Sequence, residues 1–296
     1  MRIKRKTVKE LFRRTRTDPP DVPVDVYNFL NTKTMQDTRP IFYPRASSLY
    51  RECVRMTVLG YMGSKRITNY VTMKQRITFG KGNYYHWWVQ NTPDLFGDNR
   101  VGWWECLACG HVRHFGHPPT KPCPKCNASV EATVYREHYM KAEWDYLLTG
   151  HPDLFLSQNG KIYVAELKSI NYNDFSTLKD PLIEHKWQIM AYMMGLQHDN
   201  TLPAKIQADT GFVVYISKAE AKKDFPVKIF EVRPDDYIQG QIEDRLKLFV
   251  DGVTDFPNHL PPVSDKCVTA RWDSYQARQC PCINECRKYH KGEAHG

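Results

Sequence analysis

Gly150-His151-Pro152-Asp153 and Glu166-Leu167-Lys168 are joined by a segment with a hairpin pattern: Leu154-Phe155-Leu156, the turn signal Gln158-Asn159-Gly160, then Ile162 to Leu167. Asn-Gly between two apolar runs favours a tight two-residue turn. Alternation along the second strand puts Ile162, Val164, Glu166 and Lys168 on one face and Tyr163, Ala165 and Leu167 on the other. Glu166 and Lys168 thus project side by side. Asp153, at the head of the partner strand, comes close enough to share one ion with Glu166. Two carboxylates suit a hard cation such as Mg²⁺ or Mn²⁺, and a lysine suits an attacking water or developing charge. Such a set can support phosphodiester hydrolysis by lowering the pKa of a bound water and stabilising a pentavalent phosphate. The same residues also fit a plainer account, with Asp153 capping a turn and Glu166–Lys168 a surface strand pair.

Composition narrows the setting. The 296 residues suffice for one large domain or two modest ones, and a hydrophobic fraction of 41% supports a core. No apolar run reaches transmembrane length, and the N-terminus lacks the apolar stretch of a secretory signal. The net charge is +9, and residues 1–16 hold eight Lys/Arg against the single acid Glu10. A basic arm of this kind suits a polyanion such as nucleic acid, and it equally suits a solvated tail.

The apolar periodicity divides the chain. Residues 1–40 are polar, basic and broken by prolines, an arm and approach segment. Ser47–Tyr61 has a helical pattern with Ser47 or Ser48 as N-cap, and a second helix is expected over Gly82–Gln90. Residues 132–146 have a strand-like, mixed pattern. A helix is predicted around Pro181–Leu196, strands over Gly211–Ser217 and Lys228–Val232, and an amphipathic helix over Asp236–Val250 with Ile238, Ile242, Leu246 and Phe249 on its stripe. The last 35 residues read as irregular and Cys-rich.

Other residues gather around the acid–acid–lysine set. His86 lies on the second predicted helix, in Gly82-x-x-x-His86, where a core or surface role is the commoner use of a lone histidine. Gln188 and Tyr192 are four apart on the following helix and face the same way. Tyr84, Tyr85, Trp87 and Trp88, with Trp103, Trp104 and Trp187 beyond them, offer faces on which unpaired bases could stack. Most of Trp87, Trp88 and Trp187 are nevertheless expected in the core. Arg45, Arg51, Arg55, Lys74, Arg76 and Lys81 could line a phosphate track.

Nine cysteines fall into two sets, and their spacings point to metal ligation in a reducing compartment rather than a disulfide framework. Cys106-x-x-Cys109 and Cys123-x-x-Cys126 are separated by thirteen residues. Gly110 and Asn127 follow the two pairs and permit the tight turn that tetrahedral sulfur ligation needs. This is a zinc-ribbon signal, a small insertion over residues 103–131 stabilised by Zn²⁺. His111, His114 and His117 lie inside its loop, but four thiolates already close the site. The ribbon's role could be DNA contact, partner binding or stiffening. Cys53 stands alone near the N-terminus, while Cys267, Cys280, Cys282 and Cys286 crowd the other end; a second zinc site is one use for them.

Taken in order, Cys53, Gly82-x-x-x-His86, Gly150-x-x-Asp153, Glu166-Leu167-Lys168, Gln188-x-x-x-Tyr192 and the terminal cysteines resemble the RecB-type nucleases of the PD-(D/E)xK superfamily. The likeness is nearest to the iron–sulfur branch that includes CRISPR-adaptation exonucleases, AddB nuclease domains and phage recombination exonucleases. It covers roughly residues 45–290 apart from the insertion. It implies an α/β fold, a restriction-endonuclease-like mixed sheet flanked by helices, with core segments 41–102 and 132–260 and a cluster segment 261–296. His86, Asp153 and Glu166 would bind Mg²⁺ or Mn²⁺ with the Leu167 carbonyl, and Glu137 would contribute. Lys168 would position or activate water, and Gln188 and Tyr192 would orient Lys168 or the DNA phosphate. A [4Fe–4S] cluster would be held by Cys53, Cys267, Cys280 and Cys286, because Cys280 and Cys286 have the five-residue spacing of the last two ligands in relatives; the departure from the usual C-x-x-C-x₅-C ending leaves Cys282 as the alternative to Cys267.

The activity implied is metal-dependent DNA cleavage, an exonuclease on single strands or ends in recombination, repair or phage DNA processing. A structure-specific endonuclease and a non-catalytic DNA-binding scaffold are the rivals. Partners would be DNA and a recombination or replication protein, with no membrane, in a bacterial or phage-infected cytoplasm.

Overall fold

The computed structural model describes residues 43–51, 53–64, 73–218, 226–274, 277–278 and 280–293. The basic arm of residues 1–40 and the side chain of Lys74 lie outside them.

Nine strands and seven helices organise the described residues. The helices are α1 (Val54–Tyr61), α2 (Met73–Asn91), α3 (Tyr172–Thr177), α4 (Ile183–Leu196), α5 (Asp236–Thr254), α6 (Asp265–Val268) and α7 (Ile283–Glu293). The strands are β1 (Arg100–Cys106), β2 (Val112–Gly116), β3 (Thr133–Arg136), β4 (Met140–Glu143), β5 (Leu147–Gly150), β6 (Leu154–Gln158), β7 (Lys161–Ile170), β8 (Ile206–Ser217) and β9 (Val227–Val232). Seven strands form one mixed sheet in the order β2-β1-β6-β7-β8-β9, with β3 also paired to β1, while β4 and β5 form a separate ribbon. Every pairing in the large sheet is antiparallel except β7 with β8, which are joined through α3 and α4. A parallel pair needs such a helical crossover. The mixed sheet flanked by helices is the expected fold class.

The β6–β7 hairpin turns at Asn159 (φ 52°) and Gly160 (φ 73°), with Gln158 opposite Lys161. Two consecutive positive-φ residues match the right-handed twist of the flanking strands. The predicted alternation holds along β7. Val164 packs in the core beneath α4 with Val213, Tyr215, Ile189 and Met190. Ala165 and Leu167 pack on the opposite face with Leu154, Val214, Ile216 and Val89 of α2. The sheet is thus covered on both faces, and burying each large apolar side chain contributes about 1.5–3 kcal/mol. On α5 the buried stripe is Ile238, Ile242, Leu246 and Phe249, as expected, and Asp235 caps it by accepting from the Ile238 N–H at 3.1 Å.

Three expectations are corrected. The first helix begins at Val54 rather than Ser47, because the backbone around Ala46 is engaged elsewhere: Ala46 N–H donates to Thr149 O and Thr149 N–H to Pro44 O, each at 2.9 Å. The second helix starts at Met73, running through Gly80 and Gly82 instead of beginning there. The segment 103–131 shares β1 with the main sheet: Arg100 and Val101 pair with β6, and Trp103–Cys106 pair with β3. The C-terminal region is partly helical. Cys282, Cys286 and Tyr289 are spaced as one helical stripe and pack with Leu59 of α1, so cysteines read as ligands also serve as the apolar face of α7.

Candidate functional site

Asp153 lies at the end of the loop that leaves β5. Its Oδ2 accepts from the Leu167 N–H at 2.8 Å, and its Oδ1 lies 3.2 Å from His86 Nδ1. Its own carbonyl accepts from Gln90 Nε2 at 2.7 Å. The hairpin therefore sets the spacing between the two acidic positions, and α2 clamps the loop from the other side. Burial opposes ionisation of Asp153, but the His86 contact, the Lys168 charge and the Leu167 N–H outweigh it and hold the carboxyl below its usual range. Burial likewise works against a charged His86, yet Asp153 raises its pKa.

Glu166 is 2% exposed, and its Oε1 accepts from Lys168 Nζ at 2.5 Å. Its Oε2 is buried with no hydrogen-bond partner among the described residues. Burial and the Asp153 carboxylate push Glu166 up to about 8. Lys168 is also raised: burial favours its neutral form, but Glu166 and Asp153 hold the ammonium. An orphaned carboxylate oxygen beside a second carboxylate and an imidazole fits a hard divalent cation, which would satisfy the oxygen and displace the proton.

The ligand atoms that converge are those of His86, Glu137 and Asp153, one each and all within 4.8 Å of one another, with Glu166 outside that group. Burial pushes the Glu137 carboxyl up, against the opposing 2.8 Å hydrogen bond from Gln90 Nε2. Gln90 is the residue that sequence reasoning missed. Its amide reaches both Glu137 and the Asp153 carbonyl, while its own carbonyl accepts from Arg100 Nη1 at 2.6 Å. Its position on the same helix as His86, one turn further on, was the available signal.

Gln188 and Tyr192 do share a helix face, with Gln188 Nε2 donating to Tyr192 Oη at 3.1 Å. Tyr192 in turn donates to the His151 carbonyl at 2.9 Å, so the pair braces the Asp153 loop rather than bonding to Lys168. A Cβ on Gly150 would stand 2.6 Å from Tyr192 Cε1, which explains why the loop carries glycine where it crosses that ring. His185, beside Lys168, is driven down to about 4 by burial and by that ammonium, and it is neutral at pH 7.

The four ribbon thiols converge at the outer ends of β1 and β3. Their Sγ atoms all lie within 4.8 Å of one another, with Cys106–Cys126 and Cys109–Cys123 both at 3.7 Å. A tetrahedral ion with zinc–sulfur bonds of about 2.3 Å places its sulfurs about 3.8 Å apart. Gly110 (φ 68°) and Asn127 (φ 58°) supply the two knuckle turns. The donor set and spacing fit Zn²⁺.

The other five cysteines lie near the junction of α1 and α7, but no three of their Sγ atoms come within 4.8 Å of one another, unlike those of the ribbon. The charge of Cys53 acts on Cys267, Cys280 and Cys286. Cys282 instead directs its Sγ at the Met56 carbonyl, 3.8 Å away. Burial pushes Cys280 up to about 12 and Cys286 up to about 11, the latter opposed by a hydrogen bond from Arg55. Arg55 is fully buried and also donates to Pro261 O at 3.0 Å. It therefore belongs to the cysteine site and not to a surface phosphate track. Arg51 pairs with Glu184.

The aromatic expectations divide. Trp187 and Trp104 are buried, and Trp103 stacks on His138 at 4.7 Å inside the core. Trp88 is half-buried and donates to Asp94 Oδ2 at 3.0 Å. Trp87, expected inside, is 50% exposed because its neighbour Val89 takes the core-facing position of α2.

A model of the PD-(D/E)XK nuclease superfamily matches residues 81–287. No curated protein matches the chain. Among solved structures it is similar to LHK-Exo in complex with dAMP, at 12% identity over 78% of this chain and 95% of that one, with a TM-score of 0.45. It is also similar to SSO0001, at 16% identity over 80% and 98% with a TM-score of 0.34. A further similarity is to an alkaline exonuclease (LHK-Exo) from Laribacter hongkongensis, at 13% identity over 73% and 89% with a TM-score of 0.38.

Proposed function

The chain belongs to the PD-(D/E)XK nuclease superfamily, and from that membership we propose that it is a divalent-metal-dependent deoxyribonuclease, an exonuclease working on DNA ends in recombination, repair or phage DNA processing. The observation that carries this reading is the buried, partnerless Glu166 Oε2 beside Asp153 and Lys168. Asp153, Glu166 and His86 would hold Mg²⁺ or Mn²⁺ with the Leu167 carbonyl, and Glu137 would complete the acidic wall. When bound, the ion supplies Lewis acidity toward phosphoryl oxygens and eases deprotonation of water. Lys168, kept as an ammonium, places positive charge where negative charge develops on the phosphate. Gln188 and Tyr192 hold the Asp153 loop at its working distance. The basic arm of residues 1–40 would add sequence-independent attraction to phosphates.

We assign Zn²⁺ to Cys106, Cys109, Cys123 and Cys126, and a [4Fe–4S] cluster to Cys53, Cys267, Cys280 and Cys286. The influence of Cys53 on Cys267 and of Cys267 on Cys286 supports the choice of Cys267, while Cys282, which acts on Cys280, is the alternate ligand. All nine cysteines are free thiols, which suits a reducing cytoplasm. Aerobic loss and anaerobic retention of a brown colour, with iron and acid-labile sulfide, test the cluster. A colourless protein holding two zinc ions would replace it with a second zinc site.

The full chain is expected to degrade end-labelled DNA in Mn²⁺ and not in EDTA. Asp153→Asn and Lys168→Ala should each slow it on the order of 10²–10³-fold. Parent rates in both variants would sink the assignment. A circular single strand separates the modes, since a strict exonuclease leaves it intact.

A further inference from the structure

His185 is a titratable side chain that the chemistry above leaves without a role, and the sheet register places it beside the reacting groups. Lys168 and Tyr215 are partners across the parallel β7–β8 pair, so their side chains stand next to each other on one face of the sheet. Glu166 and Lys168 project from that face, and Val164 and Val213 pack on it beneath α4. The tip of Tyr215 reaches α4: its hydroxyl lies 2.6 Å from His185 Nδ1 and accepts from the Leu182 N–H at 3.0 Å. Of the charges that act on the His185 ring, the Lys168 ammonium is the strongest, ahead of Glu184 and Arg51. Strand register, a hydrogen bond and the local field therefore agree in putting His185 next to Lys168.

The same contacts fix the tautomer of the ring. Tyr215 is fully buried, so its single hydroxyl proton needs an acceptor, while the Leu182 N–H already occupies a lone pair of the oxygen. His185 Nδ1 is the acceptor within reach among the described residues. In the neutral ring Nδ1 then carries no proton, which leaves the proton on Nε2. His185 is half-buried, and its Nε2 has no hydrogen-bond partner among the described residues and is not closed off from solvent.

An imidazole held in this way donates from its outer nitrogen and cannot take up a proton there, so it is not a general base. Lys168 is likewise a donor, and it gives one of its three N–H groups to Glu166. Glu184, the acid on the same turn of α4, is paired with Arg51 rather than with this ring. Two donors side by side complement an oxygen that carries negative charge.

We propose that His185 is a substrate-binding residue of the nuclease centre, its Nε2–H donating to a non-bridging oxygen of the same DNA phosphate that Lys168 contacts. This rests on the nuclease reading above and adds to it a second donor that carries no charge of its own. A neutral donor suits the position, because a second cation would be repelled by the Lys168 ammonium, whereas an N–H dipole adds a directed bond without that cost.

Two substitutions separate this role from mere bracing of Tyr215. In His185→Asn the side-chain oxygen can still accept from Tyr215, but the outward donor is gone. In His185→Gln the amide nitrogen takes the place of Nε2, and the contact with Tyr215 is given up. Cleavage of end-labelled DNA in Mn²⁺ is followed for the parent and both variants, with melting temperatures alongside. His185→Asn is expected to lower kcat/KM about 10- to 100-fold, the range for one hydrogen bond to a charged oxygen, at a parent-like melting temperature. His185→Gln should recover most of that loss even where its melting temperature falls. A second measurement uses DNA whose terminal linkages are neutral methylphosphonates, bound to Asp153→Asn protein with and without His185→Asn. The neutral linkage should weaken binding more when His185 is present, because only that protein has the bond to lose.

Parent kcat/KM in His185→Asn would overturn the proposal. So would a His185→Gln variant no better than His185→Asn, which would make His185 a brace for Tyr215. An equal loss with the neutral linkage in both backgrounds would overturn it as well. A parent chain that cuts no DNA in Mn²⁺ overturns the nuclease reading itself, and that result is read without any His185 variant.

Discussion

At Glu166, burial, a neighbouring carboxylate and a lysine compete for one proton. The carboxyl rises from its usual 4.5 to about 8, so the folded, metal-free protein binds a proton that the unfolded chain releases between those values. Its contribution to stability is therefore full below pH 4.5 and is lost as pH rises toward 8. Asp153 has the opposite sign, but its window lies below 3.8, so the two separate on the pH axis. Calorimetry in EDTA should show a melting temperature that declines from pH 5 to 8. Mn²⁺ should reverse the decline most strongly at the upper end, where no proton need be expelled. Glu166→Gln should flatten the slope, and an unchanged slope would show that another group carries it. Asp153, Glu166 and Lys168 were legible in the sequence because a hairpin with an Asn-Gly turn fixes both register and face. Gln90 was not, because its partners Glu137 and Asp153 lie 47 and 63 residues away and meet it only in the fold. Replacing Gln90 with Leu should lower activity at saturating DNA while restoring little with added Mn²⁺, since the loop itself is released. Full rescue by metal would make Gln90 dispensable for positioning.

At the scale of elements, two glycines give opposite expectations. A methyl on Gly150 would meet Tyr192 Cε1 at 2.6 Å and Ala46 Cβ at 3.3 Å, both in packed surroundings. Gly150→Ala should cost about 1–3 kcal/mol by overpacking, and it should lower activity because the displaced ring also holds the His151 carbonyl. Gly80, inside α2, has nothing within 4 Å of an added Cβ. Gly80→Ala should stabilise by about 0.5–1 kcal/mol through a less flexible unfolded chain. Denaturant midpoints measure both, and a shift of the same sign for the pair would contradict the packing described. These glycines also explain a limit of the sequence pattern. Gly80 and Gly82 read as a helix boundary, yet α2 runs through them because packing of Tyr85, Trp88 and Val89 on the sheet outweighs a cost of about 1 kcal/mol per glycine. Local propensity marked a stop that tertiary burial overrode.

For the whole molecule, the two cysteine sets lie at different places, one at the ends of β1 and β3 and the other between α1 and α7. The ribbon shares β1 with the main sheet, where Arg100 and Val101 pair with β6 while Trp103–Cys106 pair with β3. The terminal set lies where Leu59 of α1 packs against Cys282, just before α7, and Cys286 within it, far along the chain from the ribbon. The knuckle spacing made the first set readable, because four ligands of one ion must be close in sequence or sit on paired turns. The second set was readable only as a count of thiols, because its geometry depends on two chain ends meeting. On the proposed assignment, loss of each metal should loosen a different part of the protein. Cys109→Ser with Cys126→Ser should remove hydrogen-exchange protection from the amides of Trp104–Cys106 and Thr133–Arg136, leaving Leu154–Leu156 and Tyr163–Ala165 protected by their own ladder. Cys280→Ser should open α1 and α7 and leave β1 and β3 intact. Loss of protection in β6 and β7 from the ribbon variant would mean that the sheet depends on the ribbon for its stability. Since Asp153 immediately precedes β6 and Glu166 lies within β7, nuclease activity in that variant should follow the exchange pattern: retained if the hairpin stays closed, and lost with it if it does not.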